Sequence, residues 1–307
     1  MSAAIEILGM SKVYGQTRAL DSVTLTVPEG SVYGFLGPNG AGKTTTLRIL
    51  SGLARPTTGE AAVFGNDVVR SSTSVRAQLG FLPDVPGYYA WMTAREFLTF
   101  TGRLFGLGGD VLDQRIAALL DLAGLTDVTT RIGGYSRGMK QRLGVAQALI
   151  NAPRLLMLDE PTSALDPMGR KDVLDMIASL RGKTTVFFST HILSDVERVC
   201  DRVAILDKGR VVREAAMAEL THSGAATRVE LDVVEGIAAV EREIASRAWA
   251  AECIREGFTL TCTLADVDAA RREIPHIVAD SGASLARMEE LAPTLEDVFV
   301  ELVGGEN

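Results

Sequence analysis

The sequence predicts an α/β domain with a helical insertion, followed by a smaller α+β domain. Three short apolar runs, each followed by a small or polar residue and then by helical patterning, are typical of buried parallel strands. They are Ser31–Leu36, Leu155–Leu158 and Thr184–Ser189. Because the carboxyl ends of parallel strands meet at one edge of a sheet, we expect the active site there.

Residues 88–135, between the first and second run, are predicted to form the helical insertion. The capping box at Thr93–Glu96 opens an amphipathic helix over Thr93–Phe105, and Asp110–Ala123 has the pattern of a second helix. A stretch rich in alanine and small polar residues follows at Ala215–Thr227. We therefore expect a first domain over residues 1–222.

Residues 228–307 restart the pattern and are predicted to form the second domain. The expected elements are a strand at Arg228–Val234, a helix at Ile237–Arg247, strands at Cys253–Glu256 and Phe258–Leu264, a helix at Asp266–Asp280, a strand at Ala283–Met288 and a helix at Thr294–Val303. The order βαββαβ is typical of a ferredoxin-like fold.

Composition narrows the classes of function. The 307 residues are 47% apolar and 23% charged, without a basic, apolar start typical of a signal peptide or a run near the ~20 apolar residues of a membrane-spanning helix. Residues 228–307 hold 7 basic and 17 acidic residues, so nucleic acid is not an expected partner. The odd cysteine count, Cys200, Cys253 and Cys262, indicates reduced packing thiols in a cytosolic protein.

The segment after the first predicted strand matches the phosphate-binding pattern G-x-x-x-x-G-K-[ST]. It reads Gly37, Pro38, Asn39, Gly40, Ala41, Gly42, Lys43 and Thr44. Thr45, which is also expected to bind the nucleotide, opens a helix predicted to run to Leu53. Backbone N–H groups there can surround phosphate oxygens, while Lys43 reaches the β- and γ-phosphates and Thr44 ligates Mg²⁺. The alternative is a glycine-rich turn with a solvated lysine.

Two carboxylates follow the second apolar run. Asp159 and Glu160 stand where a buried strand ends, and carboxylates are costly there unless something needs them. Beside a phosphate loop, Asp159 would hold Mg²⁺ through water, and Glu160 would polarise the water that attacks the γ-phosphate. The alternative is a strand that ends in a solvated acidic turn.

Together with these motifs, the segment Tyr135-Ser136-Arg137-Gly138-Met139 resembles the signature of the ATP-binding cassette (ABC) family. The resemblance implies a P-loop NTPase fold in the first domain, and it implies that Ser136 and Gly138 face ATP held by an opposing protomer. A local explanation is compatible with it, because Ser136 is also a good N-cap for the following helix.

Three further residues resemble family positions. The resemblance implies that Tyr14 stacks on adenine, that Asp166 belongs to a loop that communicates across a dimer, and that His191 contacts the γ-phosphate and supports the catalytic glutamate. The alternatives are a core aromatic for Tyr14, an N-cap before Pro167 for Asp166, and a helix-start residue for His191.

The chain departs from the family pattern at Asp84, where glutamine is usual; a carboxylate can ligate Mg²⁺ but cannot donate a hydrogen bond. Arg137 and Met139, and the ending Leu295–Phe299, are similar to bacterial exporters whose ATPase and permease are separate chains. The resemblance implies a homodimer, or pairing with a second ATP-binding subunit, at the cytoplasmic face of the membrane. The permease contact is expected over Tyr88–Phe105, including Trp91 and Phe97; the alternative is that these aromatic residues form the insertion's own core.

Two other functions fit the sequence less well. A non-transport cassette ATPase of translation or DNA repair is expected to carry two cassettes or a long coiled coil, whereas this sequence has one phosphate loop and no sustained heptads. A silent nucleotide-binding regulator is expected to lack Lys43, Glu160 or His191, all of which are present.

Overall fold

A computed structural model of the chain describes residues 2–220 and 228–291, together with Leu295 and Phe299. The helix expected at Thr294–Val303 therefore lies outside the described residues, apart from these two positions. The chain divides into two compact units, Met1–Met217 and Ala218–Asn307. This division falls a few residues before the 222–228 boundary expected from the sequence.

The first unit contains ten strands and most of the helices. Its strands are β1 (Ala3–Tyr14), β2 (Thr17–Pro28), β3 (Val32–Leu36), β4 (Thr58–Val63), β5 (Asn66–Asp67), β6 (Leu79–Leu82), β7 (Leu155–Asp159), β8 (Thr185–Thr190), β9 (Arg202–Asp207) and β10 (Arg210–Ala216). Its helices are α1 (Lys43–Leu50), α2 (Ser72–Ala77), α3 (Ala94–Leu104), α4 (Gly109–Leu122), α5 (Arg137–Ala148), α6 (Pro167–Ala178) and α7 (Leu193–Val199), and the short helix α8 (Met217–Leu220) follows.

A six-stranded sheet with the order β10-β9-β3-β8-β7-β6 forms the centre of the first unit. Strands β6, β7, β8, β3 and β9 run parallel, and β10 pairs antiparallel with β9. Every residue of β3, β7 and β8 is buried, as the apolar runs predicted. The predicted α/β fold is confirmed.

A second, antiparallel sheet with the order β2-β1-β4-β5 was not predicted from the sequence. Several register shifts interrupt the pairing of β1 with β2, so the alternation of buried and exposed residues is irregular. Apolar side chains of this sheet, of α1 and of the parallel sheet form one core, which includes Ile5, Leu25, Phe35, Leu47 and Met157.

The helical insertion contains α3 and α4. The predicted capping box is present at Thr93 and Glu96. Phe97, expected at a permease contact, is only 4% exposed because its ring packs edge-on against Tyr88, with ring centres 5.4 Å apart. That part of the expectation is wrong: Phe97 belongs to the core of the insertion, whereas Trp91 is 62% exposed.

The second unit has the predicted βαββαβ order. Its elements are β11 (Arg228–Glu235), α9 (Ile237–Ala245), β12 (Ala250–Glu256), β13 (Thr259–Leu264), α10 (Val267–Asp280) and β14 (Ser284–Leu291). The strands form an antiparallel sheet with the order β12-β13-β11-β14, which is a ferredoxin-like arrangement. Val229, Leu231 and Leu260 pack with Ile274 in its core.

The cysteines correct one prediction. Cys253 and Cys262 are directly opposite each other on β12 and β13, with Cα atoms 4.2 Å apart, and they form a disulfide. The expectation of three reduced thiols is wrong for this pair, because sequence spacing does not reveal strand register. Cys200 is a free, buried residue as expected, and burial raises the pKa of its thiol.

Candidate functional site

The polar residues singled out in the sequence gather at the carboxyl edge of the parallel sheet. Strand β8 lies between β3 and β7, so the segments that follow these three strands are neighbours. They carry the glycine-rich loop, the Asp159–Glu160 pair and His191. An edge of this kind is where ligands bind in open α/β sheets.

The loop from Gly37 to Gly42 approaches the backbone of neighbouring segments closely. A Cβ atom on Gly37 would lie 2.2 Å from the carbonyl oxygen of Leu206, and one on Gly42 would lie 2.6 Å from that of Ala19. Gly42 also has φ = 111°, a conformation that other residues rarely adopt. Helix α1 begins directly afterwards at Lys43, earlier than the predicted Thr45.

Lys43 is buried, with 5% of its surface exposed, so the solvated-lysine alternative is wrong. Its Nζ donates hydrogen bonds to the carbonyl oxygens of Gly37 at 2.7 Å and Pro38 at 3.1 Å. The same atom lies 3.1 Å from Oε1 of Glu160. The loop therefore curves around a cation that also reaches the acidic pair.

Asp159 is buried, and its Oδ1 accepts hydrogen bonds from the hydroxyls of Ser189 at 2.6 Å and Thr44 at 3.2 Å. Burial raises the pKa of this carboxyl; the two hydroxyls oppose the shift, and the charges of Asp84 and Glu160 add to it. Asp159 is thus not part of a solvated acidic turn. Ser189 was missed in the sequence, because a serine in an apolar strand gives no functional signal by itself.

Glu160 contacts two other predicted site residues, Lys43 and His191. Its carboxylate binds Lys43 through Oε1, and its Oε2 lies 2.9 Å from Nδ1 of His191. Its backbone has φ = 49°, in the left-handed region, and its N–H donates to the carbonyl oxygen and the hydroxyl of Ser189, both at 3.1 Å. A non-glycine residue held in this region is common at functional sites.

Asp84 and Tyr14 lie at the surface. Asp84 accepts a hydrogen bond of 3.3 Å from the Ser163 hydroxyl, and its charge raises the pKa of Asp159. Tyr14 ends β1 and is 46% exposed, so the core-aromatic alternative is wrong. Lys12 Nζ lies 4.6 Å from the centre of the Tyr14 ring, and stacking on adenine stays a prediction.

Ser136, Gly138 and Asp166 form a separate group where α5 and α6 begin. The Ser136 hydroxyl accepts from the N–H of Met139 at 3.2 Å, and the Asp166 carboxylate accepts from that of Gly169 at 3.3 Å. Both N-cap interpretations are therefore correct. A Cβ atom on Gly138 would be 3.5 Å from Cα of Gly169, so the two helix starts lie side by side.

Within residues 2–220 and 228–291, no helix combines the length and the apolar composition that crossing a bilayer requires.

The fold and the motifs agree with comparisons to known proteins. Residues 20–163 match the family model described as ABC transporter. An uncharacterized ABC transporter ATP-binding protein of Bacillus subtilis (strain 168) is 39% identical over 97% of this chain and 99% of its own length. A Nod factor export ATP-binding protein of Rhizobium sp. (strain N33) is 35% identical over 99% of this chain and 98% of its own.

Among solved structures, a dimeric ATP-binding cassette in a post-hydrolysis state with ADP and Pi is similar to this chain. The TM-score is 0.63 at 26% identity, over 69% of this chain and 98% of the other.

Proposed function

The chain belongs to the ABC transporter family as an ATP-binding and ATP-hydrolysing subunit, and from that premise we propose how its residues bind ATP, hydrolyse it and transmit the resulting motion. The observation that carries the proposal is the buried Lys43, held between loop carbonyl oxygens and the catalytic candidate Glu160. Mutagenesis of Glu160, described below, tests it.

The glycine-rich loop binds the triphosphate of ATP. Backbone N–H groups over residues 37–45, in the loop and the first turn of α1, provide positive potential for the phosphates. When ATP binds, Lys43 exchanges its hydrogen bonds to loop carbonyl oxygens for contacts with the β- and γ-phosphates. Tyr14 stacks on the adenine, for which its exposed ring is accessible.

The residues around Asp159 fit Mg²⁺. The ion is usually held by one or two carboxylates together with substrate phosphates and water, and Thr44, Asp84 and Asp159 supply hydroxyl and carboxylate oxygens at this edge. When bound, Mg²⁺ would be held by these three residues and would neutralise negative charge that develops on the phosphates. The raised pKa of Asp159 indicates a carboxylate whose neighbours do not fully compensate its burial, which a cation would do.

Glu160 is the general base. It accepts the proton of the water that attacks the γ-phosphate, and Lys43 leaves it for the phosphates when ATP binds. His191 holds the carboxylate through its contact with Oε2 and faces the γ-phosphate. A carboxylate can only accept, so Nδ1 of His191 carries the hydrogen in this contact.

Two ATP-binding subunits close around ATP. Ser136 and Gly138, at the start of α5, face the ATP held by Lys43 of the opposite subunit, and the N-terminal N–H groups of α5 bind its phosphates. Asp166 lies beside them as the N-cap of α6 and transmits closure between the two sites. The subunit pairs with a second copy of itself or with another ATP-binding subunit, as in the dimeric cassette it resembles.

The exposed aromatic side chains of the insertion are the contact with a membrane permease. Tyr89, Trp91 and Phe100 are exposed, and Tyr89 packs between the rings of the other two. An exposed apolar patch of this kind marks an interaction surface.

We expect Trp91→Ala to reduce co-purification of the permease from solubilised membranes by at least about fivefold without changing basal ATPase activity. Leu8→Ala, at an equally exposed apolar residue of β1 outside the insertion, is the matched control; equal permease recovery with Trp91→Ala and Leu8→Ala would contradict this surface.

Export at the cytoplasmic face of the membrane is the direction we propose, because a full-length relative at 35% identity is described as an export ATP-binding protein. A role in translation or DNA repair is not supported by these relatives.

Glu160→Gln tests the mechanism. A glutamine is nearly isosteric but is a far weaker base, so phosphate release should slow by about 10²- to 10⁴-fold while ATP binding is retained. The ATP-bound dimer should then accumulate, which size-exclusion chromatography with Mg·ATP detects. Hydrolysis by Glu160→Gln at the wild-type rate would exclude Glu160 as the base.

A further inference from the structure

Asp195 is a buried carboxylate that the mechanism above does not use. It lies on α7, four residues after His191, and its side chain is fully buried. Its Oδ2 accepts a hydrogen bond from the Thr162 hydroxyl, and its Oδ1 accepts one from Nε of Arg170 at 2.5 Å. A buried carboxylate costs free energy unless it is paired and hydrogen-bonded, so these partners determine what Asp195 does.

The partners belong to different segments around the acidic pair. Thr162 is buried and lies two residues after Glu160, in the connection between β7 and α6. Arg170 lies in the first turns of α6, and its Nη2 also donates to the hydroxyl of Ser194 at 2.6 Å. Asp195 therefore joins the segment that follows Glu160 to both α6 and α7.

Glu160 needs to be held from both sides. Its left-handed backbone, with φ = 49°, is disfavoured for a residue with a side chain and persists only when the surroundings fix it. On the preceding side, its N–H is bound by Ser189 of β8. On the following side, the contact of Thr162 with Asp195 anchors the chain two residues later.

We propose that Asp195 is a positioning residue for ATP hydrolysis: by binding Thr162 and Arg170 it keeps Glu160 in its left-handed conformation, with the carboxylate beside His191. The inference rests on the proposed role of Glu160 as the general base. Asp195 is fully buried and acts through the position of Glu160 rather than by binding ATP, so its loss should slow the chemical step and leave ATP affinity unchanged.

The first experiment compares Thr162→Val with Thr162→Ser in the full-length chain. Valine keeps the size of the side chain but removes the hydroxyl donor, whereas serine retains the donor. We expect Thr162→Val and Asp195→Asn to lower kcat by about 10- to 100-fold, because small displacements of a catalytic group have effects of this size. The Kd for ATP should stay within about twofold, and Thr162→Ser should retain kcat within about threefold of wild type.

Asp175→Asn is the matched control, because Asp175 is an aspartate on α6 that pairs with Arg198 at the surface. It should leave kcat unchanged. A purely structural role for Asp195 predicts a different result: ATP affinity, melting temperature and kcat would decline together, and serine at position 162 would give no specific rescue.

The second experiment combines Asp195→Asn with Glu160→Gln in a double-mutant cycle. If Asp195 acts through Glu160, its replacement should change the residual rate of Glu160→Gln by less than about threefold. A full 10- to 100-fold loss in that background would overturn the inference. A wild-type kcat for Thr162→Val, in a protein whose Glu160→Gln variant is slow, would also overturn the inference. A wild-type rate for Glu160→Gln would instead overturn the proposed function.

Discussion

Two aspartates in the two units have pKa values shifted in opposite directions. Burial raises the pKa of Asp159 at the end of a parallel strand of the first unit. On the exposed face of the antiparallel sheet in the second unit, hydrogen bonds from Thr259 and Arg287 lower the pKa of Asp232. One carboxylate is destabilised by its surroundings, and the other is stabilised by them.

This difference distinguishes charged residues that serve a site from charged residues that only stabilise one another at the surface. Arg287 of the second unit also binds Glu230 and Glu289, and Arg271 binds Glu290 and Asp268, so these surface charges compensate one another. In the first unit, Lys43, Asp159 and Asp195 are buried where the parallel strands end or close behind that edge. Charges kept at such a cost are typical of sites that bind or react.

The largest expected effect is the loss of ATP affinity caused by Lys43→Ala in the first unit. Charged hydrogen bonds contribute about 1.5–3 kcal/mol each, so ATP affinity should fall by about 10- to 150-fold. Equilibrium binding of a fluorescent ATP analogue measures this change. Lys183→Ala, at an exposed lysine of the same unit, should bind as tightly as wild type. Equal affinities for Lys43→Ala and Lys183→Ala would show that the buried cation does not serve ATP.

A smaller effect is expected on stability, with opposite signs for the two aspartates. The pKa of Asp159 in the folded state is higher than its ordinary value of 3.8, so the folded state holds this proton more tightly than the unfolded state. The contribution of Asp159 to stability therefore falls as pH rises from 3.8 through the folded pKa. Asp159→Asn should therefore raise the Tm of the nucleotide-free protein at pH 7.

Asp232 has the opposite sign. The pKa of Asp232 in the folded state is lower than its ordinary value of 3.8, so the ionised carboxylate stabilises the fold at pH values above 3.8. This stabilisation is lost as pH falls through the folded pKa. Asp232→Asn should lower Tm at pH 7, and by less than Asp159→Asn raises it, because solvent screens this partly exposed group. Thermal unfolding of both variants at pH 7 and pH 4 tests the contrast, which would disappear if both substitutions shifted Tm in the same direction at pH 7.

The smallest effect should come from removing residues 218–307. Every residue to which we assign a role in ATP binding lies in the first unit, so a folded fragment of residues 1–217 should bind ATP within about twofold of the full chain. Circular dichroism establishes folding, and the same fluorescent analogue measures affinity. Loss of binding by a folded fragment would mean that the second unit contributes to the site.

Sequence reasoning predicted the parts of the molecule that depend on local pattern. The strands that end at Leu36 and Asp159 follow from continuous apolar runs, and the capping box at Thr93 follows from residue spacing. The sheet that begins with β1 was missed, because register shifts break the alternation that would have revealed it. Asp195 was missed as well, because a helical aspartate looks the same in sequence whether it faces water or a buried threonine.

Strand β8, between β3 and β7, also sets the order in which the protein can fold during synthesis. Val32 pairs with Val186, so the strand that leads into the ATP-binding loop gains this neighbour only after roughly 150 further residues have been made. At about 5–20 residues per second, this delay is on the order of 10 s, during which the apolar β3 lacks its partner. Such long-range pairing folds slowly and leaves apolar surface and unpaired strand edges that are prone to aggregation. The ATP-binding loop is thus made early in translation and acquires its final surroundings late.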